Sequence, residues 1–555
     1  MRSERLGLVA GIVALNALVL WTYLPTARLW PWGTDAERWL ERGDPSRAGF
    51  AEWVFHTRHF VGYRPVAALS FAADALWIAH PPDSHWIDFA AMGVVLTAVV
   101  LLARSLVRPW SSPIRASACG LFAGLLVALH PVMQEILPYV PRRSYELAEG
   151  FGLLGMLCFV EGTRRAPATG LLRGWSVPAT LAFGLACGSN EAIFPLLLLL
   201  PAFGVEAAIA AGMPWRSGLR SAAAPLLPAL ALVWKRNFVL TDSNLTGYAK
   251  KWFAYADGHN RLRVLEAPEP WSVFSAAWSY VFFPSSPTGD PPLFGGWLVV
   301  FLVAVASWWI GRVVLDPMAG WGQRARRLPL WLAAWGVATA VLYALANTWF
   351  WREGFPLLIP VAISLAAIAS VDLEPRQPRT RRALTGAALG AIALSMLWWS
   401  PLFGLDLGPL TEETRATRAL GAVRANADRL GRPSVVWMVA QGDADFAHDL
   451  ARAANQQTRG SGISFRTLGW SPRSGGTPNH GTAHLAEGAV VLPPGAKFDP
   501  PVSRLTHVPR DASRVALTAL STAVPVKGEV WWWEGKEMLT LRTAALPPAA
   551  TPGKP

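Results

Sequence analysis

Long apolar runs recur through the first 405 residues of this chain, and they constrain its fold more than any other sequence feature. A helix that crosses a membrane needs about 20 mostly apolar residues. Runs near that length occur at 7–24, 87–107, 114–133, 143–161, 175–188, 191–211, 219–240, 293–314, 328–346, 355–371 and 383–402. Because 52% of the residues are hydrophobic and only 16% are charged, an ordinary soluble protein and a disordered chain are both excluded. We therefore predict a polytopic α-helical membrane protein with about 11 transmembrane helices.

The arginines between these runs predict the side of the membrane on which each loop lies. Every second loop is rich in arginine, at 104–115, 164–173, 216–220, 324–327 and 376–382. Cytoplasmic loops carry an excess of Lys and Arg, so these loops and the N-terminus are predicted to be inside. The first run resembles a secretory signal, but no small-residue cleavage site precedes Pro25, and we interpret it as a retained helix. We expect a multi-pass protein of the cytoplasmic (inner) membrane whose other loops and C-terminal tail lie outside.

Charge and cysteine content exclude two further classes. The net charge of +13 comes from basic residues that alternate with apolar runs, so we predict membrane lipids and no nucleic acid as partners. The cysteines Cys119, Cys158 and Cys187 all fall inside apolar runs. The sequence therefore offers neither a disulfide framework nor a cysteine-based metal site.

The predicted chain organisation has two parts, a transmembrane domain at 1–405 and a soluble extracytoplasmic domain at 406–555. Two long outside loops, 25–86 and 241–292, interrupt the first part. Within loop 25–86, the stretch 64–80 is apolar but too short to span, and we predict a helix that lies on the membrane.

The tail has the composition of a small α/β domain. Apolar stretches predict strands, and one amphipathic stretch predicts a helix near 444–456; the strands are expected at 434–440, 488–493, 514–520, 529–533 and 538–543. Trp531, Trp532 and Trp533 have two possible roles: stacking on sugar rings, or alternating between the core and the surface of a strand. We expect the domain either to cap the bundle or to recognise an acceptor.

Charged and polar residues collect at the predicted outer ends of the spans. They are Asp35, Glu37, Arg64, His85, His130, Glu135, Arg142, Arg143, Glu191 and Arg352. A carboxylate that accepts a proton and a guanidinium that holds a phosphate are what transfer of a group from a lipid phosphate requires. The simpler interpretation of each residue is a solvated or snorkelling side chain at the end of a helix.

At these positions the chain resembles the GT-C glycosyltransferase superfamily, in its O-mannosyltransferase-like branch, which often carries tetratricopeptide repeats. The main match is His130-Pro-Val-Met-Gln-Glu135 followed by Arg143 and Leu147. Supporting matches are Tyr63-Arg64-Pro65, His85 with Asp88, Glu191 ahead of Pro195, Trp278 to Pro284, and the loop around Arg352. This chain departs from the pattern at Ala36, Met92, Tyr145 and Asn190, and it lacks the repeats.

The resemblance implies an inverting enzyme that transfers a sugar from a polyprenyl-phosphate donor to a protein or cell-envelope acceptor outside the membrane. It implies that Asp35 is the catalytic base, with Glu37 as the substitute. Trp30 and Trp32 precede Asp35, and we interpret them as an aromatic belt that holds it at the membrane surface. The other eight polar residues above are candidates for substrate binding, with Arg143 the first choice for the lipid phosphate.

Some members of the superfamily use a divalent cation, which Glu191 could bind. We predict no metal site, because no second ligand clusters with Glu191 in the sequence. Two other functions stay open: a transporter or flippase for a lipid-linked glycan, and a non-catalytic scaffold that displays the outer domain.

Overall fold

The chain divides into two compact units. One comprises Met1–Arg28 and Trp39–Pro409, and the other comprises Leu29–Arg38 and Leu410–Pro555. The computed structural model describes residues 2–32, 36, 39–40, 42–56, 64–78, 81–165, 175–235, 278, 281–282, 328, 331–341, 354–373, 379–397, 400–403, 411–430, 433–440, 444–458, 461–468, 470–472, 484–486, 488–492, 496–498, 513–522, 527–534 and 540–548. The segment Leu29–Arg38 belongs to the second unit, although it lies within the predicted transmembrane domain.

All regular secondary structure among the described residues of the first unit is helical. Its helices are α1 (Arg2–Tyr23), α2 (Phe50–His56), α3 (Pro65–Trp77), α4 (Ser84–Val107), α5 (Pro113–Leu129), α6 (Met133–Ile136), α7 (Arg143–Arg165), α8 (Ser176–Cys187), α9 (Phe194–Ala210), α10 (Trp215–Trp234), α11 (Trp331–Val341), α12 (Gly354–Asp372) and α13 (Arg379–Leu397). Each predicted run overlaps one of them except 293–314, which lies outside the described residues.

Four stretches are long and apolar enough to cross a membrane, counting only the described part of the chain. They are Glu4–Arg28, Pro81–Trp110, Glu191–Ala210 and Gly354–Val371. Helix α7 has the length of a span, but Arg143, Glu146 and Glu149 in its first two turns lower its hydropathy. The predicted count of about 11 spans is thus supported only in part.

Proline at helix starts and glycine at a helix contact both shape this unit. Pro65 begins α3 and Pro113 begins α5, where the missing N–H would have no intrahelical partner. Gly204 and Gly218 allow α9 and α10 to meet backbone to backbone, because a Cβ on either glycine would collide with the other helix.

The second unit contains a four-stranded sheet covered on both faces. Its elements are α14 (Thr411–Ala427), β1 (Ser434–Ala440), α15 (Ala444–Gln457), β2 (Ile463–Thr467), β3 (Trp470–Pro472), β4 (His484–Ala486), β5 (Ala489–Val491), β6 (Ala496–Phe498), β7 (Arg514–Ala516), α16 (Leu517–Thr522), β8 (Lys527–Glu534) and β9 (Thr540–Ala545). The strand order is β2-β1-β8-β9. β1 pairs in parallel with β2 and β8, and β9 is antiparallel to β8.

Burial on both faces explains why β1 is an unbroken apolar run, since a parallel strand between two covered faces has no polar side. The predicted strand 514–520 is wrong beyond Ala516, where α16 begins. Strand β2 was not predicted, because alternating burial makes it less apolar than β1.

Five tryptophans of the second unit, Trp30, Trp32 and Trp531 to Trp533, are core residues, and their burial corrects two sequence interpretations. Trp531 and Trp533 pack in one cluster and Trp532 in the cluster on the opposite face, and each is at most 1% exposed. None of these three rings is available to stack on a sugar. Trp30 and Trp32 join the cluster of Trp531 and Trp533, so the interpretation of an aromatic belt is also wrong.

Candidate functional site

Seven of the ten predicted site residues have described positions, and all seven lie in the first unit. Asp35, Glu37 and Arg352 lie outside the described residues. The seven come from three separate stretches of the chain, at 64–85, 130–143 and 191.

Arg143 is the centre of a buried ionic cluster that joins three helices. Its Nη1 donates to both carboxylate oxygens of Asp74 at 2.8 Å, and its Nε donates to Asp88 at 2.5 Å. Its Nη2 donates to the carbonyl oxygen of Ser84 at 3.0 Å. The guanidinium also lies over the ring of Phe71, 4.6 Å from its centroid. Arg143, at the start of α7, thus links that helix to α3 and α4.

These contacts change the interpretation of Arg143. The residue has no exposed surface, and carboxylates already occupy two sides of its guanidinium. A lipid phosphate would have to displace a carboxylate to reach it. Burial raises the pKa of Asp74, and the neighbouring Arg143 offsets only part of that rise. The arrangement is that of a structural ion cluster, held by hydrogen bonds on three sides.

His85 belongs to the same cluster. It lies in the first turn of α4, it is 1% exposed, and its Nδ1 is 3.9 Å from the Oδ2 of Asp88. Together, Asp74, His85, Asp88 and Arg143 form the Arg143 cluster. Its buried position places His85 beside the carboxylates, where it adds to the packing of the cluster.

Two further acids on α7 are buried in the first unit. Glu146 and Glu149 are each 1% exposed, and neither carboxyl oxygen of Glu146 has a hydrogen-bond partner among the described residues. Sequence analysis missed both of them, and it also missed Asp74. The available signal was an acid within a predicted apolar stretch, because such a residue is costly to bury and marks a paired or functional position.

Arg64 and Glu191 form a bidentate ion pair beside the Arg143 cluster. Arg64 Nε and Nη2 donate to the two oxygens of Glu191 at 3.2 and 3.0 Å. The backbone N–H of Val66 donates to the carbonyl of Gly188 at 2.9 Å. The start of α3 is therefore fastened to the loop that precedes α9.

Asn190 connects this ion pair to α7. Its side-chain oxygen accepts a hydrogen bond from Ala192 N–H at 3.0 Å, and its Nδ2 donates to Ser144, the neighbour of Arg143, at 3.1 Å. The motif residues around Glu191 and those around Arg143 are thus in contact through Asn190 and Ser144. The family pattern has a lysine at position 190, and here an amide takes part in the packing.

His130 fixes the loop that follows α5. Its Nδ1 accepts the backbone N–H of Val132 at 3.1 Å, so the neutral ring carries its proton on Nε2. That Nε2 lies 2.8 Å from the carbonyl oxygen of Val281 and donates to it. The ring is completely buried, and both of its nitrogens are engaged. This geometry corresponds to a structural histidine.

Glu135 and Arg142 are the more accessible residues of the same loop. Both are partly exposed, Glu135 in α6 and Arg142 just before α7. The Arg142 guanidinium lies 5.8 Å from the ring centroid of Tyr139. Arg142 is thus nearer to solvent than its neighbour Arg143.

Trp39, with which the first unit resumes after the segment Leu29–Arg38, is anchored in the first unit. Trp39 is 2% exposed and stacks on Phe71 with ring centroids 5.0 Å apart. The guanidinium of Arg143 also lies over the Phe71 ring. Trp39, which lies in the predicted first loop, and the Arg143 guanidinium therefore both contact the ring of Phe71.

Comparison with known proteins gives distant structural likenesses only. No family model and no curated protein matches the sequence. The structure is similar to that of ArnT from Cupriavidus metallidurans bound to undecaprenyl phosphate, with 14% identity, coverage of 84% of this chain and 93% of that one, and a TM-score of 0.43.

It is also similar to the apo oligosaccharyltransferase of Archaeoglobus fulgidus, with 12% identity, coverage of 80% of this chain and 64% of that one, and a TM-score of 0.41. A third similar structure is AglB from the same organism in complex with an inhibitory peptide and a dolichol-phosphate, with 12% identity, coverage of 82% and 64%, and a TM-score of 0.39. This chain thus spans less than two thirds of the archaeal proteins.

Proposed function

We propose that this protein is an integral-membrane glycosyltransferase that transfers a sugar from a polyprenyl phosphate to an acceptor outside the membrane, with inversion. The acceptor class is a protein or a glycan or lipid of the cell envelope. The observation that carries the proposal is the convergence of motif residues distant in sequence: Arg64 with Glu191, and His85 and Asp88 with Arg143. This convergence supports the interpretation of the matched residues as one spatial motif, in which the Arg143 cluster and the Arg64–Glu191 pair have a structural role.

In the proposed reaction Asp35 is the general base. Its carboxylate takes the proton of the acceptor hydroxyl while that oxygen forms a bond to the anomeric carbon of the sugar. The bond between the anomeric carbon and the phosphate oxygen breaks, and polyprenyl phosphate leaves with the bonding electrons. A lipid donor stays in the bilayer and a polar acceptor stays in water, so a base for this step must lie at their boundary.

We assign the phosphate contact to Arg142 rather than Arg143. Both arginines precede or begin α7, but Arg143 is enclosed by Asp74 and Asp88 whereas Arg142 is partly exposed. A guanidinium with some solvent-accessible surface can bind phosphate through paired N–H groups. Arg352 is the second candidate for this contact.

A divalent cation on Glu191 does not fit the observed contacts. Both oxygens of that carboxylate accept hydrogen bonds from Arg64. Among the described residues, no group of three or more His, Cys, Asp or Glu is arranged to hold a metal ion. We therefore assign no step of the reaction to a metal.

Donor cleavage separates the three candidate functions. We expect the purified full-length protein to release polyprenyl phosphate from polyprenyl-phosphate mannose or glucose when cell-envelope material is supplied as acceptor, because transfer breaks the bond between sugar and phosphate. Chromatography of the lipid products measures this release. Movement of intact donor across a vesicle membrane without cleavage would instead indicate a transporter, and absence of both binding and cleavage would indicate a scaffold.

Sidedness provides an independent check. We expect Ala48→Cys in the first loop to react with a membrane-impermeant maleimide in intact cells, and Ala211→Cys after α9 to react only in permeabilised cells, because arginine-rich loops stay in the cytoplasm. Both alanines are exposed, so they form a matched pair. The unsubstituted protein, whose cysteines are buried or half-buried, is the blank. If Ala211→Cys reacted in intact cells and Ala48→Cys did not, the first loop would be cytoplasmic, and the proposed reaction outside the membrane would be excluded.

A further inference from the structure

We propose that the first unit binds the headgroup of a phospholipid with a primary amine, such as phosphatidylethanolamine, in a cavity between the ends of α4, α7 and α9. The cavity has a volume of about 90 Å³, and Arg164, Glu206 and Trp110 line it together with apolar side chains. It shares no residue with the Arg143 cluster or with the proposed reaction. The inference therefore does not depend on sugar transfer.

The cavity lies at the opposite end of the helices from the Arg143 cluster. Asp88, a member of that cluster, is near the start of α4, and Leu106, which lines the cavity, is in its last turn. A helix rises about 1.5 Å per residue, so about 27 Å of α4 separate the two positions. The hydrocarbon core of a bilayer is about 30 Å thick, and α4 belongs to the candidate span Pro81–Trp110. The cavity is thus at the level of the headgroups on the side of the arginine-rich loops.

Arg164 supplies the positive charge of the cavity. Its Nη1 donates to the carbonyl oxygen and the hydroxyl of Ser105 at 2.7 and 3.1 Å, and it lies 3.5 Å from Glu161. Its Nε and Nη2 donate to none of the described residues, and the side chain is 17% exposed. One edge of the guanidinium therefore has no acceptor, which is costly for a mostly buried donor. A phosphate can accept from both nitrogens of such an edge.

The surroundings of Arg164 compensate its charge only in part. Arg165 pairs with the same Glu161 at 3.3 Å, so one carboxylate faces two guanidiniums. Arg108 is also close enough for its charge to act on Arg164. An anion that enters the cavity is therefore attracted to the Arg164 side of it.

Glu206 adds a negative charge from a different helix. It lines the cavity from α9, and its Oε1 accepts a hydrogen bond from Trp331 Nε1 at 3.4 Å. A primary ammonium donates hydrogen bonds to a carboxylate, whereas the quaternary nitrogen of choline has no N–H. The charges of Arg164 and Glu206 cancel, and they match a headgroup in which phosphate and ammonium also cancel. An anionic headgroup without an amine would leave Glu206 beside a second anion.

The rest of the lining favours a lipid over a free ion. Leu106, Val160 and Phe203 are apolar, and Trp110 adds an indole ring, which favours the boundary between hydrocarbon and headgroups. A water needs about 10–15 Å³ of such a cavity, so the volume accommodates about six to nine groups of that size. This is the scale of a phosphate joined to an ethanolamine. The glycerol and acyl chains of the same lipid can then follow the apolar walls.

The experiment compares headgroups that carry identical acyl chains. The full-length protein in detergent is titrated with phosphatidylethanolamine, phosphatidylglycerol or phosphatidylcholine, and native mass spectrometry measures the Kd of each. Arg164→Gln and Glu206→Gln each remove one charge, and Ala210→Leu narrows the cavity without a change of charge. Arg165→Gln is the matched control, because Arg165 pairs with the same Glu161 but does not line the cavity.

We expect the unsubstituted protein to bind phosphatidylethanolamine about 10-fold more tightly than either other lipid, because only this headgroup has partners for both Arg164 and Glu206. Arg164→Gln should weaken binding of phosphatidylethanolamine about 10-fold. Glu206→Gln should abolish the preference for phosphatidylethanolamine over phosphatidylglycerol. Ala210→Leu should also weaken binding, and Arg165→Gln should resemble the unsubstituted protein.

Equal Kd values for the three lipids in the unsubstituted protein would overturn the proposal, and this comparison does not require any variant to fold. Tighter binding of phosphatidylglycerol would overturn it too, since the site would then not recognise an amine. Equal losses in Arg164→Gln and Arg165→Gln would assign the effect to surface charge. Displacement of phosphatidylethanolamine by millimolar inorganic phosphate would indicate a site for the free ion. Donor cleavage is not measured here, so failure of the proposed function would leave these outcomes readable.

Discussion

Asp35→Asn is expected to abolish sugar transfer while the protein stays folded and keeps its affinity for polyprenyl phosphate. Asparagine has nearly the size of aspartate but cannot accept the acceptor's proton, and loss of a general base lowers turnover by roughly 100-fold or more. The effect should appear in kcat for release of polyprenyl phosphate. Binding of undecaprenyl phosphate and the unfolding profile should be unchanged.

Asp83→Asn is the matched control for this prediction. Asp83 is an exposed acid of the same predicted outer loop, and its substitution should leave transfer intact. Glu37→Gln tests the substitute base two residues after Asp35. Full activity in Asp35→Asn together with loss of activity in Glu37→Gln would transfer the role to Glu37, and full activity in both would remove the proposed mechanism.

Arg143→Met is expected to destabilise the first unit by about 3–5 kcal/mol, the cost of leaving buried carboxylates without their partner. In this variant Asp74 and Asp88 lose the guanidinium that both of them contact. Denaturant unfolding in detergent, followed by loss of helical circular dichroism, measures the change. Arg165→Met on the same helix is the control, because that side chain is 58% exposed and its pair with Glu161 is a surface contact worth about 0–1 kcal/mol.

Neutralising the cluster provides a second control for Arg143. The triple substitution Asp74→Asn, Asp88→Asn and Arg143→Met removes all three charges, and we expect it to recover much of the lost stability. A phosphate ligand would behave differently, since its loss would weaken donor binding and leave the fold unchanged. That outcome for Arg143→Met would restore the sequence-based assignment of Arg143 to the lipid phosphate.

Local patterns predicted the helical elements well. The apolar runs at 87–107 and 355–371 match α4 and α12 closely, because the hydropathy of a span is a property of consecutive residues. β1 was predicted at its observed bounds for the same reason, as a short apolar run between turns. The motif residues Arg64, Glu191 and Arg143 stood out in the sequence because they are charges at the ends of apolar stretches.

Sequence patterns did not predict which residues contact one another in the folded protein. Arg143 meets Asp74 and Asp88, which are 69 and 55 residues away, and a residue type alone cannot tell a phosphate ligand from a member of a buried ion cluster. The sequence context of Trp30 indicated a membrane belt, whereas its backbone is bound by Thr417, 387 residues later.

Composition and periodicity were thus sufficient for the helical class of the first unit, for the α/β class of the second and for the list of unusual polar residues. The tertiary structure decided which of those residues are enclosed, with what partners, and to which unit the segment carrying Asp35 belongs. The physical reason is that hydropathy is summed over neighbours in sequence, whereas desolvation and ion pairing depend on neighbours in space.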